Sequence, residues 1–169
     1  MYQAPITTEA FKSELRKRGL KATSQRVTVH QAMLALGHAC ADQVAEWIET
    51  ETNSSVSIAS VYNILSQMAL LGIYSHRYSP DCKMYFDVNN FNHVHLYDIE
   101  TGTYIDVDDE NLVQMVESYI RHKSYKGYKA KSVDIQIIAS QRSLWRPSQS
   151  GKRDSELIPV FGDCAAGHI

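Results

Sequence analysis

Several features are missing from this sequence of 169 residues, and each absence excludes a class of protein. The three cysteines, Cys40, Cys82 and Cys164, are far apart and form no C-x-x-C pair, which excludes a structural zinc site built from four cysteines. No run approaches the roughly 20 apolar residues of a membrane-spanning helix, and the N-terminal stretch has no apolar core of a signal peptide. We therefore expect a cytoplasmic protein without a membrane partner.

The charge of the chain is distributed unevenly. Its net charge of -2 at pH 7 is not typical of a protein that binds nucleic acid. Near the N-terminus, however, basic side chains cluster at Lys12, Arg16, Lys17, Arg18, Lys21 and Arg26. Such a cluster is either the solvated end of a helix or a positive surface that attracts DNA, and charge alone leaves both interpretations open.

The first half of the chain has a helical pattern. Capping residues and terminating glycines predict helices at about residues 8–18 and 24–36, then from residue 41, and finally after an N-cap at Ser57. In this fourth helix the predicted buried face consists of Ile58, Val61, Leu65 and Met68. Two short β-prone runs, IYSHRYS and KMYFDV, then predict a hairpin. Helices followed by a two-stranded wing are the order of a winged helix-turn-helix, whose recognition helix enters the major groove.

Beyond Asp87 the pattern changes to strands, a helix from about residue 110 to 122, and a further strand, SVDIQIIA. We therefore expect an α+β fold with two units. An N-terminal winged helix-turn-helix spans residues 1–88, and a small α/β unit spans residues 89–140. The turn-rich stretch 141–169 is predicted to be a tail that is loosely structured or dependent on a partner.

The stretch HVHLYDIETGTYID, residues 93–106, predicts a hairpin with two histidines on one strand. With a two-residue Thr-Gly turn, Asp106 lies opposite Tyr97, on the face that also carries His93 and His95. Asp106 and His95 are then diagonal neighbours. Imidazole and carboxylate groups together suit Fe(II), Mn(II) or Zn(II). The hairpin alone leaves open whether these histidines bind a metal or lie on the surface and bind nothing.

Four stretches, GLKATSQR, IASVYNIL, YFDV and H-x-H, follow one another in the order and at the separations of a known family. Over about residues 10–140 the sequence resembles the ferric uptake regulator superfamily of metal-dependent repressors. The resemblance implies a winged-helix DNA-binding domain followed by a dimerisation domain, with one divalent metal per subunit between them. The ligands that it implies are His38, Asp87, His93, His95 and Asp106.

The resemblance also implies contacts with DNA. Lys21 would reach the minor groove, while Tyr62 and Asn63 would lie over bases in the major groove. Together with the basic cluster and the first turns of the fourth helix, the candidate DNA-binding residues are Lys21, Arg26, Ser57, Ser60, Tyr62 and Asn63. The implied partners are double-stranded DNA with a palindromic operator and a second copy of the chain in a homodimer.

Two departures from the family pattern bear on function. An aspartate at position 106, where iron-uptake regulators usually have glutamate, is similar to the peroxide-sensing branch. The C-x-x-C pairs of the family fall here at Asp98 and Thr101 and near Ser140 and Ser143, so a structural zinc with four cysteine ligands is not expected.

We therefore expect a repressor of iron homeostasis or of the oxidative-stress response, controlled by Fe(II), Mn(II) or Zn(II). One alternative is a haem-responsive regulator of the same fold, although no cysteine precedes a proline as in the usual short haem motif. An alternative from another class is a metal-dependent hydrolase. Five protein ligands would leave little room for a substrate, and no glycine-rich phosphate loop or nucleophile motif is present, so we predict that the protein is not an enzyme.

Overall fold

The computed structural model describes residues 5–140, and the predicted tail at 141–169 lies outside the described residues. We refer to residues 5–88 as the helical unit and to residues 89–140 as the sheet unit. The helical unit contains α1 (Thr8–Lys17), α2 (Ser24–Leu36), β1 (His38–Ala39), α3 (Ala41–Glu51), α4 (Ile58–Leu70), β2 (Ser75–Tyr78) and β3 (Met84–Asp87). The sheet unit contains β4 (Val94–Asp98), β5 (Thr103–Val107), α5 (Glu110–Arg121) and β6 (Ile135–Ala139). The predicted α+β fold is confirmed.

The first helices begin where the sequence offers a capping oxygen. The hydroxyls of Thr7, Thr23 and Ser57 each accept a hydrogen bond from the backbone N–H three residues further on, at 3.3 to 3.4 Å. These bonds satisfy N–H groups that the start of a helix leaves without an intrahelical partner. Among the described residues, none of these helices combines the length and the apolar character that a membrane crossing requires.

One predicted core position in α4 is wrong. Val61, Leu65 and Met68 are completely buried, as predicted, whereas Ile58 is 51% exposed. Ile58 is the first residue of the helix, and it lines a surface cavity together with Tyr62. Periodicity gives the direction in which a side chain points, but not whether the neighbouring elements extend far enough to cover it.

The wing has three strands and not the predicted two. β3 lies between β1 and β2, and it pairs antiparallel with both. The additional strand, β1, has only two residues, so no alternation in the sequence marks it. Its pairing places His38 directly opposite Asp87, and this brings the first predicted ligand beside the second.

The sheet unit has the strand order β5-β4-β6. β4 and β5 form an antiparallel hairpin, and β6 pairs with β4 in parallel. A parallel pair needs a crossover connection, and α5 lies within that connection. The central strand β4, which carries His95, is consequently bordered on both sides by other strands.

Candidate metal centre

Side chains from both units meet where the two sheets approach each other. His38 belongs to β1 and Asp87 ends β3, whereas His93 precedes β4, His95 lies within β4, and Asp106 lies within β5. One nitrogen or carboxylate oxygen from each residue lies within 4.8 Å of those from the other four. Within residues 5–140, this is the one group of such side chains with the geometry to hold a metal ion. All five predicted ligands therefore lie together.

The hairpin that carries three of these residues has a different register from the predicted one. His95 lies opposite Asp106 and Tyr97 opposite Tyr104, so the loop consists of residues 99–102 instead of a two-residue turn. The predicted diagonal arrangement of His95 and Asp106 is therefore wrong. Because the pairing is displaced by two residues and side chains alternate with a period of two, Asp106 nevertheless remains on the face of the histidines.

In the centre, imidazole nitrogens face carboxylate oxygens. His38 Nε2 lies 3.0 Å from Asp106 Oδ1 and 3.2 Å from Asp87 Oδ2. His93 Nε2 lies 2.9 Å from Asp106 Oδ1, and His95 Nε2 lies 3.2 Å from Asp87 Oδ2. Asp87 is 0% exposed and His95 is 1% exposed. Burial of such groups is unfavourable unless opposite charges or a metal compensate for the lost water.

The imidazoles and carboxylates change one another's pKa values. Burial by itself would lower the pKa of His93, but the carboxylates of Asp106 and Asp87 outweigh this effect and raise the pKa to about 10. The same balance raises the pKa of His38. Burial by itself would raise the pKa of Asp87, but the nearby imidazoles of His38, His93 and His95 lower it well below its usual value. Without a cation, the two carboxylates therefore favour the protonated forms of His38 and His93.

Asn89 and a backbone carbonyl hold three of the predicted ligands in position. The Nδ1 atom of His93 lies 2.8 Å from the carbonyl oxygen of Phe91, which leaves its Nε2 facing the centre. Asn89 donates its backbone N–H to Asp87 Oδ1 at 2.7 Å and its side-chain amide to Asp106 Oδ2 at 3.0 Å. Outer contacts of this kind fix the orientation of metal ligands. Asn89 was not predicted, and its only signal in the sequence is its position two residues after Asp87, the spacing of an Asx turn.

Two charged residues beside the centre were also missed. The guanidinium of Arg77 on β2 donates to Asp87 Oδ2 at 3.3 Å, and Asp134 lies 3.6 Å from His95 Nδ1. The contact with His95 lowers the pKa of Asp134. The register of the wing hairpin would have revealed Arg77, which is diagonal to Asp87 across β2 and β3. No local pattern reveals Asp134, because it reaches His95 through the long-range pairing of β6 with β4.

The donor set fits a divalent cation. Nitrogen and oxygen ligands bind Zn(II) at roughly 2.0 to 2.2 Å, so ligand atoms on opposite sides of one ion are about 4 Å apart. Five atoms within 4.8 Å therefore need only small movements to bind one ion. The buried Nε2 of His38 is close to both carboxylates, but neither is oriented to form a hydrogen bond with it. Imidazoles and carboxylates without thiolate suit Fe(II), Mn(II) or Zn(II).

Four of the predicted DNA-binding residues, Lys21, Ser57, Tyr62 and Asn63, are exposed. Lys21 lies just before α2, while Tyr62 and Asn63 lie on the outer face of α4. Tyr62 is 38% exposed, and its ring packs edge-on against Phe86 of β3 with 6.3 Å between the ring centroids. Exposed polar groups on a helix beside a wing are available to base edges and phosphates. Contact of these residues with DNA stays a prediction.

Three of the predicted DNA-binding residues, Arg26, Ser57 and Ser60, form hydrogen bonds within the protein. The guanidinium of Arg26 donates to the carbonyl oxygen of Lys21 and to Gln67 Oε1, both at 2.7 Å. The hydroxyls of Ser57 and Ser60 are 2.9 Å apart at the start of α4. These residues hold α4 in position, and a role in DNA binding stays a prediction for them too.

Asp98 and Thr101 occupy the positions at which the family usually has its first C-x-x-C pair. The hydroxyl of Thr101 donates to Asp98 Oδ2 at 2.9 Å, and the backbone N–H of Glu100 donates to Asp98 Oδ1 at 3.0 Å. Asp98 is only 6% exposed. These two hydrogen bonds to Asp98 close the loop between β4 and β5.

A winged helix-turn-helix joined to a small α/β unit, with a buried histidine and aspartate cluster between them, defines a class of two-domain transcription regulators. The chain belongs to the ferric uptake regulator family, because the family model matches residues 17–138, well over half of the sequence. It is accordingly a metal-responsive transcriptional regulator and not an enzyme.

Both functional branches considered above occur among the relatives. The chain is 26% identical over 117 residues to the ferric uptake regulation protein of Pseudomonas aeruginosa, and the aligned region covers 68% of this chain and 87% of that protein. It is 27% identical over 111 residues to the peroxide-responsive repressor PerR of Staphylococcus epidermidis, which covers 65% and 73%. Its fold matches a solved structure of the Pseudomonas aeruginosa ferric uptake regulator with manganese, with a TM-score of 0.61, 24% identity, and coverage of 78% of this chain and 97% of that one.

Proposed function

We propose that His38, Asp87, His93, His95 and Asp106 bind one divalent cation, Fe(II), Mn(II) or Zn(II), and that this binding sets the angle between the two units. The origin of the ligands supports the proposal. Two belong to the helical unit and three to the sheet unit, yet their donor atoms lie within 4.8 Å of one another. A bound cation supplies the positive charge that joins all five ligands and, in the case of iron, reactivity toward peroxide.

The angle between the units matters because the reading elements lie in one unit and the contact between subunits lies in the other. α4 presents Tyr62 and Asn63, and it packs together with the wing in a single helical unit. In a two-fold dimer, the spacing of two such helices must match the spacing of the two halves of a palindromic operator. Ligands that draw the units together would select the arrangement with the correct spacing.

An apolar row on the sheet unit supports the homodimer. Ile105 of β5 and Ile137 of β6 both pair with Leu96 of β4, on the face opposite the histidines. Ile105 is 54% exposed and Ile137 is 39% exposed, and no residue of α5 is buried. A second copy of the chain would cover this face and remove the exposed apolar side chains from water.

A gel-shift titration tests the role of the centre. We expect parent protein to bind operator DNA more tightly with Mn(II) or Fe(II) than with a chelator, because the cation favours one arrangement of the units. His95→Ala should lose this metal dependence, although the variant residue touches no base. The matched control is His76→Ala, since His76 is an exposed histidine on the wing and its removal should leave the metal dependence intact. Metal-independent binding by both parent and His95→Ala would refute the proposal.

The peroxide-sensing branch is a second candidate for the signal. Asp106 and the similarity to PerR favour it. If peroxide is the signal, iron-loaded protein exposed to peroxide should gain one oxygen on His38 or His93, and peptide mass spectrometry would detect the change. Absence of this adduct would favour sensing of the metal itself.

A further inference from the structure

His95 differs from His93 in the partner of its second ring nitrogen. The Nδ1 atom of His93 has a hydrogen-bonding partner in the carbonyl oxygen of Phe91 at 2.8 Å. The Nδ1 atom of His95 is buried and has no hydrogen-bond partner. The carboxylate of Asp134 lies nearby, with 3.6 Å between Asp134 Oδ1 and that nitrogen. His95 Nε2 contacts Asp87, but its Nδ1 lacks the second hydrogen bond that would fix which ring nitrogen carries the proton when Nε2 binds a cation.

Arg77 directs a second buried donor at the same oxygen. Its Nη1 donates to Asp87 Oδ2 at 3.3 Å, but its Nε has no hydrogen-bond partner and lies 3.5 Å from Asp134 Oδ1. Arg77 is 7% exposed, so its Nε has little access to water. Two buried nitrogens without partners thus converge on a single carboxylate oxygen, which is a few tenths of an ångström beyond ordinary hydrogen-bond distance from each.

The strand pairing explains why Asp134 lies beside His95. β6 runs parallel to β4 with Gln136 beside His95, and Asp134 lies two residues before Gln136. Because side chains alternate along an extended chain, Asp134 is directed to the same side of the sheet as His95 and Asp106. Its side chain is 55% exposed, so it has room to move toward His95 without repacking a core.

We propose that Asp134 is a positioning residue for the cation centre: its carboxylate accepts the Nδ1 proton of His95 in a hydrogen bond, so that the Nε2 lone pair points at the cation. The inference rests on the proposed function. Carboxylates in this position fix the tautomer of a ligating histidine and increase its basicity. Arg77 belongs to the wing, and both it and His95 face the carboxylate of Asp134. When the two units approach each other, Arg77 therefore helps to hold Asp134 beside His95.

Competition with a chelator, performed on the full chain, would measure the affinities of the parent and its variants for Zn(II) and Mn(II). Asp134→Ala should weaken binding by about 10- to 100-fold, which is the usual effect of losing an outer carboxylate. Asp134→Asn should have a smaller effect, because an amide oxygen still accepts the hydrogen bond without its charge. The control is Asp108→Ala, since exposed Asp108 lines a cavity beside His93 and Asp106; it removes an equal charge near the centre and should change the affinity less than threefold.

NMR of the histidine ring nitrogens in the Zn(II)-loaded protein provides a readout that does not depend on affinity. The parent should show a proton on His95 Nδ1 that exchanges slowly with water, and Asp134→Ala should lose it. The inference is overturned if Asp134→Ala binds cations as the parent does, if it loses no more affinity than Asp108→Ala, or if the resonance is unchanged. A parent protein that binds no divalent cation would overturn the proposed function as well, so the two failures are distinguishable.

Discussion

Phe11, Val44 and Leu65 in the helical unit are completely buried, whereas in the sheet unit no residue of α5 is buried and Met115 is 63% exposed. The helical unit encloses a continuous apolar core between its helices and its wing. α5 also carries apolar side chains, but within residues 5–140 none of them is fully buried. Hydrophobic burial therefore stabilises the first unit directly, while the second depends on what it contacts.

The buried cluster nearest the sheet unit is shared between the units. Tyr97 and Tyr104 of the hairpin pack with Tyr85 and Cys40, which belong to the helical unit. The hydroxyl of Tyr85 also donates to the carbonyl oxygen of Gly102 at 2.7 Å. The hairpin that carries the histidines is thus held by the wing beside it. The helical unit therefore stabilises the sheet unit through these contacts, and we propose a cation and a second copy of the chain as further sources of stability.

The change in unfolding free energy should be largest for a substitution in the core of the helical unit and small for one on α5. Leu65→Ala removes a completely buried side chain of α4 and should lower the free energy of unfolding by about 2 to 5 kcal/mol. Met115→Ala, at an exposed position of α5, should change it by less than about 0.5 kcal/mol. Urea denaturation of metal-free protein measures both values. Equal losses of unfolding free energy in the two variants would show that Met115 is buried in solution, and the two units would then not differ in this respect.

The next effect concerns His30, a histidine in the helical core. Its ring stacks on Phe11 with 4.0 Å between the centroids, and its Nδ1 lies 2.8 Å from the hydroxyl of Tyr74. Burial lowers the pKa of His30 to about 4. Below pH 6.5 the unfolded chain therefore takes up a proton that the folded protein rejects, and stability should fall between pH 6.5 and 4 by up to about 3 kcal/mol.

Urea denaturation at several pH values, with parent and His30→Gln compared, isolates this contribution. His30→Gln should be less stable than the parent at neutral pH and should lose less stability on acidification. The control His76→Gln alters an exposed histidine and should keep the slope of the parent. Identical slopes for the parent and His30→Gln would show that His30 does not cause the acid sensitivity of the helical unit.

A smaller effect is expected on association. Ile105→Lys places a charge in the exposed apolar row of the sheet unit and should weaken self-association at least tenfold, which corresponds to about 1.4 kcal/mol. Tyr78→Lys is the matched control, because Tyr78 on the wing is equally exposed at 55%. Sedimentation over a range of concentrations gives the mass in solution. If only the Tyr78 variant lost association, the interface between subunits would lie on the helical unit.

The smallest effect tests the loop that replaces the C-x-x-C turn. Thr101→Val removes the hydroxyl that donates to Asp98 and should cost about 1 kcal/mol of stability. Thr103→Val removes a hydroxyl that contacts Thr101 but preserves the bond to Asp98, so it should cost less. Thermal unfolding with and without a chelator measures both variants. A larger loss for Thr103→Val would show that the bond to Asp98 does not hold the loop.

Local patterns were sufficient for much of the helical unit. Capping by Ser57 and the spacing of Val61, Leu65 and Met68 predicted the position and buried face of α4, because both depend on residues a few positions apart. The exception was Ile58, whose exposure depends on how far neighbouring elements extend. The same distinction applies to the ligands. Alternation predicted that His93, His95 and Asp106 share a face, and this held although the register was displaced by two residues.

Residue type alone identified the imidazoles and carboxylates that can bind a metal, and the period of two along a strand showed that His93, His95 and Asp106 share a face. How these residues meet depends on contacts between segments that are far apart in the chain. The pairing of β1 with β3 set His38 beside Asp87, and the parallel pairing of β6 with β4 set Asp134 beside His95. Such pairings join distant segments through backbone hydrogen bonds, which every residue except proline can donate, so the sequence carries little local record of them.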